Sequence, residues 1–184
     1  MLLKGNRLSL RAIEPGDVNL MYSWENDSRF WKVSNTLAPY SREVLSRYLE
    51  TAHLDIYATK QLRLLIDEQP DSGNELKHPK AIGCIDLFDF DPFHQRAGIG
   101  ILISDEQDRR KGYASEALEI LINYCFEHLH LHQLYCNIGV SNEASILLFK
   151  KQGFEITGVK KHWVREGNSY ADELLLQLIK KERN

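Results

Sequence analysis

Between Gln95 and Val140 the hydrophobic pattern passes from alternation to a three- and four-residue period and back, with a basic, glycine-containing loop at the first change. Gln95 to Ser104 reads as a strand. Tyr113 to His128 reads as a helix with Ala114, Ala117, Leu118, Leu121 and Cys125 on one stripe, and Gln133 to Val140 as a buried strand alternating Leu134, Cys136, Ile138 and Val140. A strand, helix and strand in this order make a crossover, so the helix stripe must lie on a sheet that is not purely a set of hairpins.

The flanking sequence supplies the hairpins. Arg7 to Ile13 alternates as a strand, with Leu8, Leu10 and Ala12 against Ser9 and Arg11, and Glu14-Pro15-Gly16-Asp17 breaks it and caps a helix carrying Leu20, Met21 and Trp24. After a Pro-containing link from Asn35 to Tyr40, Ser41 can cap a second helix through Val44, Leu45, Tyr48 and Leu49. Gln61 to Asp67 reads as a strand, Glu68 to Pro79 as a long exposed turn, and Lys80 to Asp91 as a strand pairing antiparallel with Gln95 to Ser104 around Asp91-Pro92-Phe93-His94. Ser141-Asn142-Glu143 opens a helix that ends at Gly153. Glu155 to Arg165 and Ser169 to Lys180 flank the turn Glu166-Gly167-Asn168. With 184 residues the expectation is one domain over residues 1–184, of the α/β (α+β) class with a mixed sheet.

Neither the formal charge of −3 nor any Lys/Arg run supplies a basic surplus for phosphate neutralisation, so no nucleic-acid partner is expected. The longest small-or-apolar run, Ala97 to Ile103, is far short of a membrane span, and charge interrupts the first residues too early for a signal segment. Cys84, Cys125 and Cys136 are widely spaced, which suits neither a disulfide framework nor a metal knuckle and points to a cytoplasmic setting. His128, His130 and His132 share a face in an extended segment but lack a nearby Cys or carboxylate, so no metal is expected. Cys136 has no His or Asn constellation and is set aside as a nucleophile; Trp24, Phe30 and Trp31 are read as core rather than as an acceptor wall.

Chemistry concentrates in the loop. Free N–H groups and the positive end of the dipole at the start of the Tyr113 helix attract an anion, Gly112 allows close backbone approach, and Arg109, Arg110 and Lys111 add charge. This is a pyrophosphate cradle, though neither a P-loop nor a dinucleotide fingerprint is present.

Arg109-Arg110-Lys111-Gly112-Tyr113-Ala114 resembles the [QR]-x-x-G-x-[GA] signature of the GNAT superfamily of acetyl-CoA-dependent N-acetyltransferases. Asn142-Glu143-Ala144-Ser145 through Phe149-Lys150-Lys151-Gln152-Gly153-Phe154 resembles that family's second cofactor helix. Arg7 to Ala12, the Trp24 region and His94 to Ala97 extend the likeness toward the branch of spermidine and ribosomal-protein N-terminal acetyltransferases. The resemblance implies a single mixed, mostly antiparallel sheet of about seven strands flanked by four helices, with splayed central strands. It implies that Ile101, Leu102 and Ile103 offer backbone groups to pantetheine, with a backbone N–H near Leu102 facing the thioester carbonyl as oxyanion donor. It further implies that residues 109–114 hold the pyrophosphate, that Asn142 bonds the pantetheine arm, and that Ser145, Phe149 and Lys151 belong to the cofactor helix. Acetyl-CoA is the expected co-substrate, and a homodimer or larger assembly the expected state.

An alkyl amine is only about one part in a few thousand neutral at pH 7, so the acceptor must lose a proton. Asp86 is the preferred base or substrate anchor, matching a carboxylate of spermidine-type relatives, with Asp89 second; strict alternation puts Asp89 and Asp91 on one face and Asp86 on the other unless a bulge intervenes. Many relatives carry a tyrosine acid where this chain has Phe149, leaving Ser145 to donate a proton or order a water, and many carry glutamate where this chain has Gly98. The expected reaction is direct acetyl transfer to a primary amine, first a polyamine such as spermidine or a diamine; the alternative acceptor is a protein N-terminus. A non-catalytic acyl-CoA-binding sensor is the rival class.

Overall fold

Alternating strands and one long amphipathic helix account for most of the architecture. The computed structural model describes residues 3–34, 36–51, 55–69 and 79–181. In chain order the strands are β1 (Leu8–Ala12), β2 (Leu62–Glu68), β3 (Lys80–Asp91), β4 (Arg96–Ile103), β5 (Gln133–Gly139), β6 (Glu155–Glu166) and β7 (Ser169–Ile179). They form one seven-stranded sheet in the order β1-β2-β3-β4-β5-β7-β6. Every neighbouring pair is antiparallel except β4 and β5, as the crossover requires.

That parallel contact is short. It holds at Arg96↔Gln133, Ala97↔Leu134 and Gly98↔Tyr135, and beyond these rungs the strands part. On its other edge β4 stays paired with β3 as far as Ile103↔Gly83, and β5 stays paired with β7 as far as Gly139↔Glu173. The sheet is therefore two well-paired arms joined at one end of a wedge, the splayed arrangement the resemblance implies.

Both faces are covered. Helix α5 (Tyr113–Glu127) buries Ala117, Leu118, Leu121 and Cys125 against Ile85, Leu87, Ile99 and Leu134, and α6 (Glu143–Lys151) adds Phe149 to the same core. The opposite face is covered by α1 (Val18–Glu25) and α3 (Arg42–Thr51), whose Met21, Leu45 and Leu49 pack with Leu65 and Cys84. Burial from both sides is why Leu64, Leu65 and Ile66 are consecutive and all buried. No helix among the described residues is long and apolar enough to cross a membrane.

Two short helices were not expected: α2 (Ser28–Ser34) and α4 (Ile56–Thr59), giving six where four were read. Neither is long enough to show a repeating stripe; α4 is fixed by its cap, Asp55 accepting from the Tyr57 N–H at 2.8 Å, and by Lys60 in the left-handed region at φ 59°. Most of the turn expected at Glu68 to Pro79 lies outside the described residues.

Register slips between Phe88↔Gly98 and Asp91↔Arg96, so β3 carries an extra residue there, with Asp89 at φ 49°. Leu87 and Phe90, three apart, consequently share one core. The bulge corrects the strict alternation: Asp89 reaches Tyr135 on β5, whose neighbours Leu134 and Cys136 point into the α5 core, so Asp89 lies on the face opposite that core, together with Asp86. Beside the bulge, the Phe88 ring occupies the space over Gly98, where an added Cβ would come within 2.2 Å of it. Gly98→Ala is expected to cost about 1–3 kcal/mol in thermal or urea unfolding. The double variant with Phe88→Ala should cost less than the two single changes summed; simple additivity would show that ring and glycine are not coupled.

Candidate active site

The loop from β4 to α5 is built around a buried carboxylate. Asp108 is 3% exposed, and its two oxygens accept from Lys80 Nζ at 2.8 Å and Lys111 Nζ at 2.9 Å. The bond from Lys80 is the chief reason its carboxyl is held below the usual range, against the opposing effect of burial, with Lys111 adding to it. Arg109 donates its guanidinium to the Ile103 carbonyl at 3.2 and 3.3 Å, and its N–H to the Glu106 carbonyl at 3.1 Å. Arg7 closes the other side, donating to the Lys111 carbonyl at 3.0 Å and to Glu116 Oε2 at 2.9 Å.

These contacts leave Arg110, Lys111, Gly112, Tyr113 and Ala114 with backbone N–H groups that find no acceptor among the described residues. Gly112, at φ 84°, caps α5 in a conformation that L side chains rarely adopt, and a Cβ there would come to 3.3 Å from Arg7 Nη2. Free amides, a helix start and neighbouring cations fit a diphosphate. The side chains divide the work differently from the expectation for residues 109–114: Arg110 is exposed, Arg109 and Lys111 brace the loop, and Tyr113 is buried with its hydroxyl on Glu68.

The open edge of β4 continues from this loop. Gln95 accepts from the His132 N–H at 2.7 Å and so faces β5, whereas Ser104 donates to Ile82 at 3.0 Å and so faces β3. Alternation between these fixed ends turns Ile99, Ile101 and Ile103 toward β5; the last rung takes the Ile99 N–H and Arg109 takes the Ile103 carbonyl, so the Ile99 carbonyl, the Ile101 peptide groups and the Ile103 N–H face the gap. The Leu102 amide itself points toward its rung with Cys84, and of the backbone N–H groups near Leu102 it is that of Ile101 that faces the opening. Across the gap Asn142 caps α6, its Oδ1 accepting from the Ser145 N–H at 3.2 Å. Ser145 is half-buried, Lys151 is exposed on the last turn, and Phe149 packs edge-on against Phe154 with ring centroids 5.0 Å apart, which places its side chain in the core.

On the opposite face, Tyr48, Gln61, Leu62, Arg63, Asp86, Leu87 and Phe88 line a cleft of about 210 Å³. Arg63 Nε and Nη2 donate to the two Asp86 oxygens at 2.6 and 3.0 Å, and Nη1 donates to Glu25. Burial works against the Arg63 charge, but the Asp86 carboxylate and then Glu25 outweigh it, so its pKa is raised. Asp89 Oδ2 accepts from the Tyr135 hydroxyl at 3.0 Å, and burial, then this bond, pushes the phenol up to about 12. Asp91 instead accepts the His94 N–H at 2.9 Å in the β3–β4 turn. Burial pushes the Cys136 thiol up to about 12, consistent with its exclusion as a nucleophile. Phe30 is buried, Trp24 packs in the α1–α3 core, and Trp31 donates its indole N–H to the Glu25 carbonyl at 3.0 Å. Glu25, Arg63 and Tyr135 were missed in the sequence; an arginine inside the apolar run Leu62 to Ile66 was the available signal.

The acetyltransferase (GNAT) domain family matches residues 7–155 of the chain. A spermidine N(1)-acetyltransferase of Escherichia coli (strain K12) is 28% identical over 158 residues, covering 84% of this chain and 76% of that protein. The crystal structure of spermidine N-acetyltransferase from Vibrio cholerae in complex with CoA and spermine superposes with a TM-score of 0.81 at 20% identity, over 95% of this chain and 96% of the other. A dodecameric structure of spermidine N-acetyltransferase from Vibrio cholerae superposes with a TM-score of 0.75 at 22% identity, over 95% of each chain.

Two outcomes follow from the loop. Gly112→Glu should abolish coenzyme A binding, because the side chain brings bulk and negative charge to the free amides; wild-type affinity in a calorimetric titration would contradict the cradle. Asp108→Asn should lose about 1.5–3 kcal/mol at pH 7. Because the folded carboxyl titrates below its usual value near 3.9, that contribution is complete above about pH 4 and is lost as pH falls through the lowered value. Urea midpoints of variant and wild type should therefore converge in acid.

Proposed function

Since the chain belongs to the GNAT acetyltransferase family, we propose that this acyltransferase moves acetyl from acetyl-CoA directly to a primary amine of a polyamine or diamine. The observation that carries the reading is the wedge between β4 and β5, which begins after three rungs and leads toward the free amides at the start of α5. Acetyl-CoA supplies an activated acetyl group. Residues 110–114 would hold its diphosphate by backbone N–H groups, with Arg110 and the positive helix end adding attraction. Ile99, Ile101 and Ile103 would pair with the pantetheine amides along the open edge of β4, and the Ile101 N–H would face the carbonyl that gains negative charge. Asn142, already the cap of α6, borders the same opening from the β5 side.

The acceptor would enter on the α1–α3 face. Glu25, Arg63 and Asp86 together carry one net negative charge, which suits a cation, and the Vibrio cholerae relative with CoA and spermine supports both ligand classes. With both oxygens on Arg63, Asp86 serves as an anchor for the amine. We further propose assembly as a homo-oligomer, supported by the dodecameric relative, and a cytoplasmic setting, which suits three unpaired buried thiols.

An acceptor panel of spermidine, a diamine, lysine and a ribosomal-protein-like N-terminal peptide, read by free-thiol release, tests this. Thiol release is expected first with spermidine. Peptide-only turnover would move the acceptor to a protein N-terminus, and silence with every amine while acetyl-CoA binds would favour a sensor. Asp86→Asn is expected to raise KM for the amine about tenfold or more, leaving KM for acetyl-CoA unchanged.

A further inference from the structure

We propose that Asp89 is the carboxylate that takes the acceptor's proton and that Tyr135 is its positioning residue, the two meeting at the apex of the wedge. The inference rests on the amine-acetylating reading and deepens it by assigning the base.

Placement comes from the ladder. Gly98↔Tyr135 is the last rung before β4 and β5 part, so the Tyr135 ring stands at the closed end of the gap. Asp89 lies on β3, on the far side of β4, and the Tyr135 hydroxyl reaches across to its Oδ2 at 3.0 Å. That reach is possible because the intervening β4 positions on this face are Gly98 and Gly100, which put no side chain between the two. The Phe88 ring lies over Gly98 and meets the Tyr135 ring edge-on, with centroids 5.8 Å apart at 84°. The Phe88 ring thus covers the glycine beside Tyr135, and the Asp89 carboxylate stands exposed at the rim of the two rings.

The two carboxylates differ in what is left to them. Arg63 occupies both oxygens of Asp86. Asp89 is exposed, accepts one hydrogen bond through Oδ2, and keeps Oδ1 without a partner among the described residues. The bulge is what turns it here, at φ 49°, and the Tyr135 bond holds its direction. In the reaction an ammonium proton passes to Asp89, the freed nitrogen lone pair forms the C–N bond, and the C–S bond breaks. The second nitrogen proton leaves with the thiol, so coenzyme A departs as a neutral sulfhydryl and Asp89 later returns its proton to water. A phenol that donates to Asp89 throughout is suited to holding the carboxylate rather than to exchanging protons itself.

The test compares wild type with Tyr135→Phe and Asp89→Asn in spermidine-dependent thiol release, with acetyl-CoA titrations and melting curves alongside. Asparagine accepts the left-handed backbone readily, so Asp89→Asn should preserve the bulge. Tyr135→Phe is expected to lower kcat about tenfold with KM for acetyl-CoA and the melting temperature unchanged, and Asp89→Asn to lower it about a hundredfold or more. Wild-type kcat in either variant overturns the assignment and leaves the amine reading standing. Reduced acetyl-CoA affinity or early melting in both variants also overturns it, by making the pair structural. Wild-type protein that releases no thiol with any amine overturns both.

Discussion

Three rungs of parallel pairing hold the two arms of the sheet together, and the absence of a fourth creates the space in which the molecule can bind. Each arm is complete on its outer side: β4 is paired with β3 through Ile103, and β5 with β7 through Gly139. The inner edges are left with unsatisfied peptides. Such edges invite any extended chain that carries amides, because each added bond is worth about 0.5–1.5 kcal/mol and the strands are already ordered. The wedge stays open because α5 and α6 bury side chains from both arms in one core, so Leu118, Phe149 and Leu176 fix the spread from behind.

The same geometry makes the loop from β4 to α5 an extension of the wedge. Arg109 ties the loop to the last residue of β4 through the Ile103 carbonyl, and Arg7 ties it to β1. Asp108 is central because a buried carboxylate must be paired, and two exposed lysines reach it with their ammonium groups. The loop thus leaves its backbone donors unpaired among the described residues while its buried carboxylate is neutralised by Lys80 and Lys111.

Much of this was legible from short-range pattern. The change of period around Gly112 located the crossover, the loop and the helix start, because each depends on residues within a turn or two of one another. What escaped depends on pairing. Alternation alone put Asp86 and Asp89 on opposite faces; an extra residue between Phe88 and Asp91 is a property of β3 and β4 together. Leu102 and Ile101 differ only in parity, which is set by where Gln95 and Ser104 find their partners. The Arg63–Asp86 pair joins residues 23 apart, and Tyr135–Asp89 residues 46 apart, so no window on the sequence contains either. Phe149 lies on α6, where its edge-on contact with Phe154 puts its ring in the core, a pairing that helix periodicity alone does not show.

An arginine in a cleft proposed for cations looks contradictory until the carboxylates are counted. Glu25 and Asp86 reach the same arginine from α1 and β3, so one guanidinium pairs both carboxylates. Arg63 sits between them, with its own charge favoured despite burial. By formal charge the three groups keep one negative charge in excess, which suits the ammonium proposed for the cleft. With both oxygens on Arg63, Asp86 is the anchor in the proposal and not its base, which separates the anchoring of the substrate from the removal of its proton. A chain built this way can leave proton transfer to a more exposed carboxylate at the apex, where water can carry the proton away.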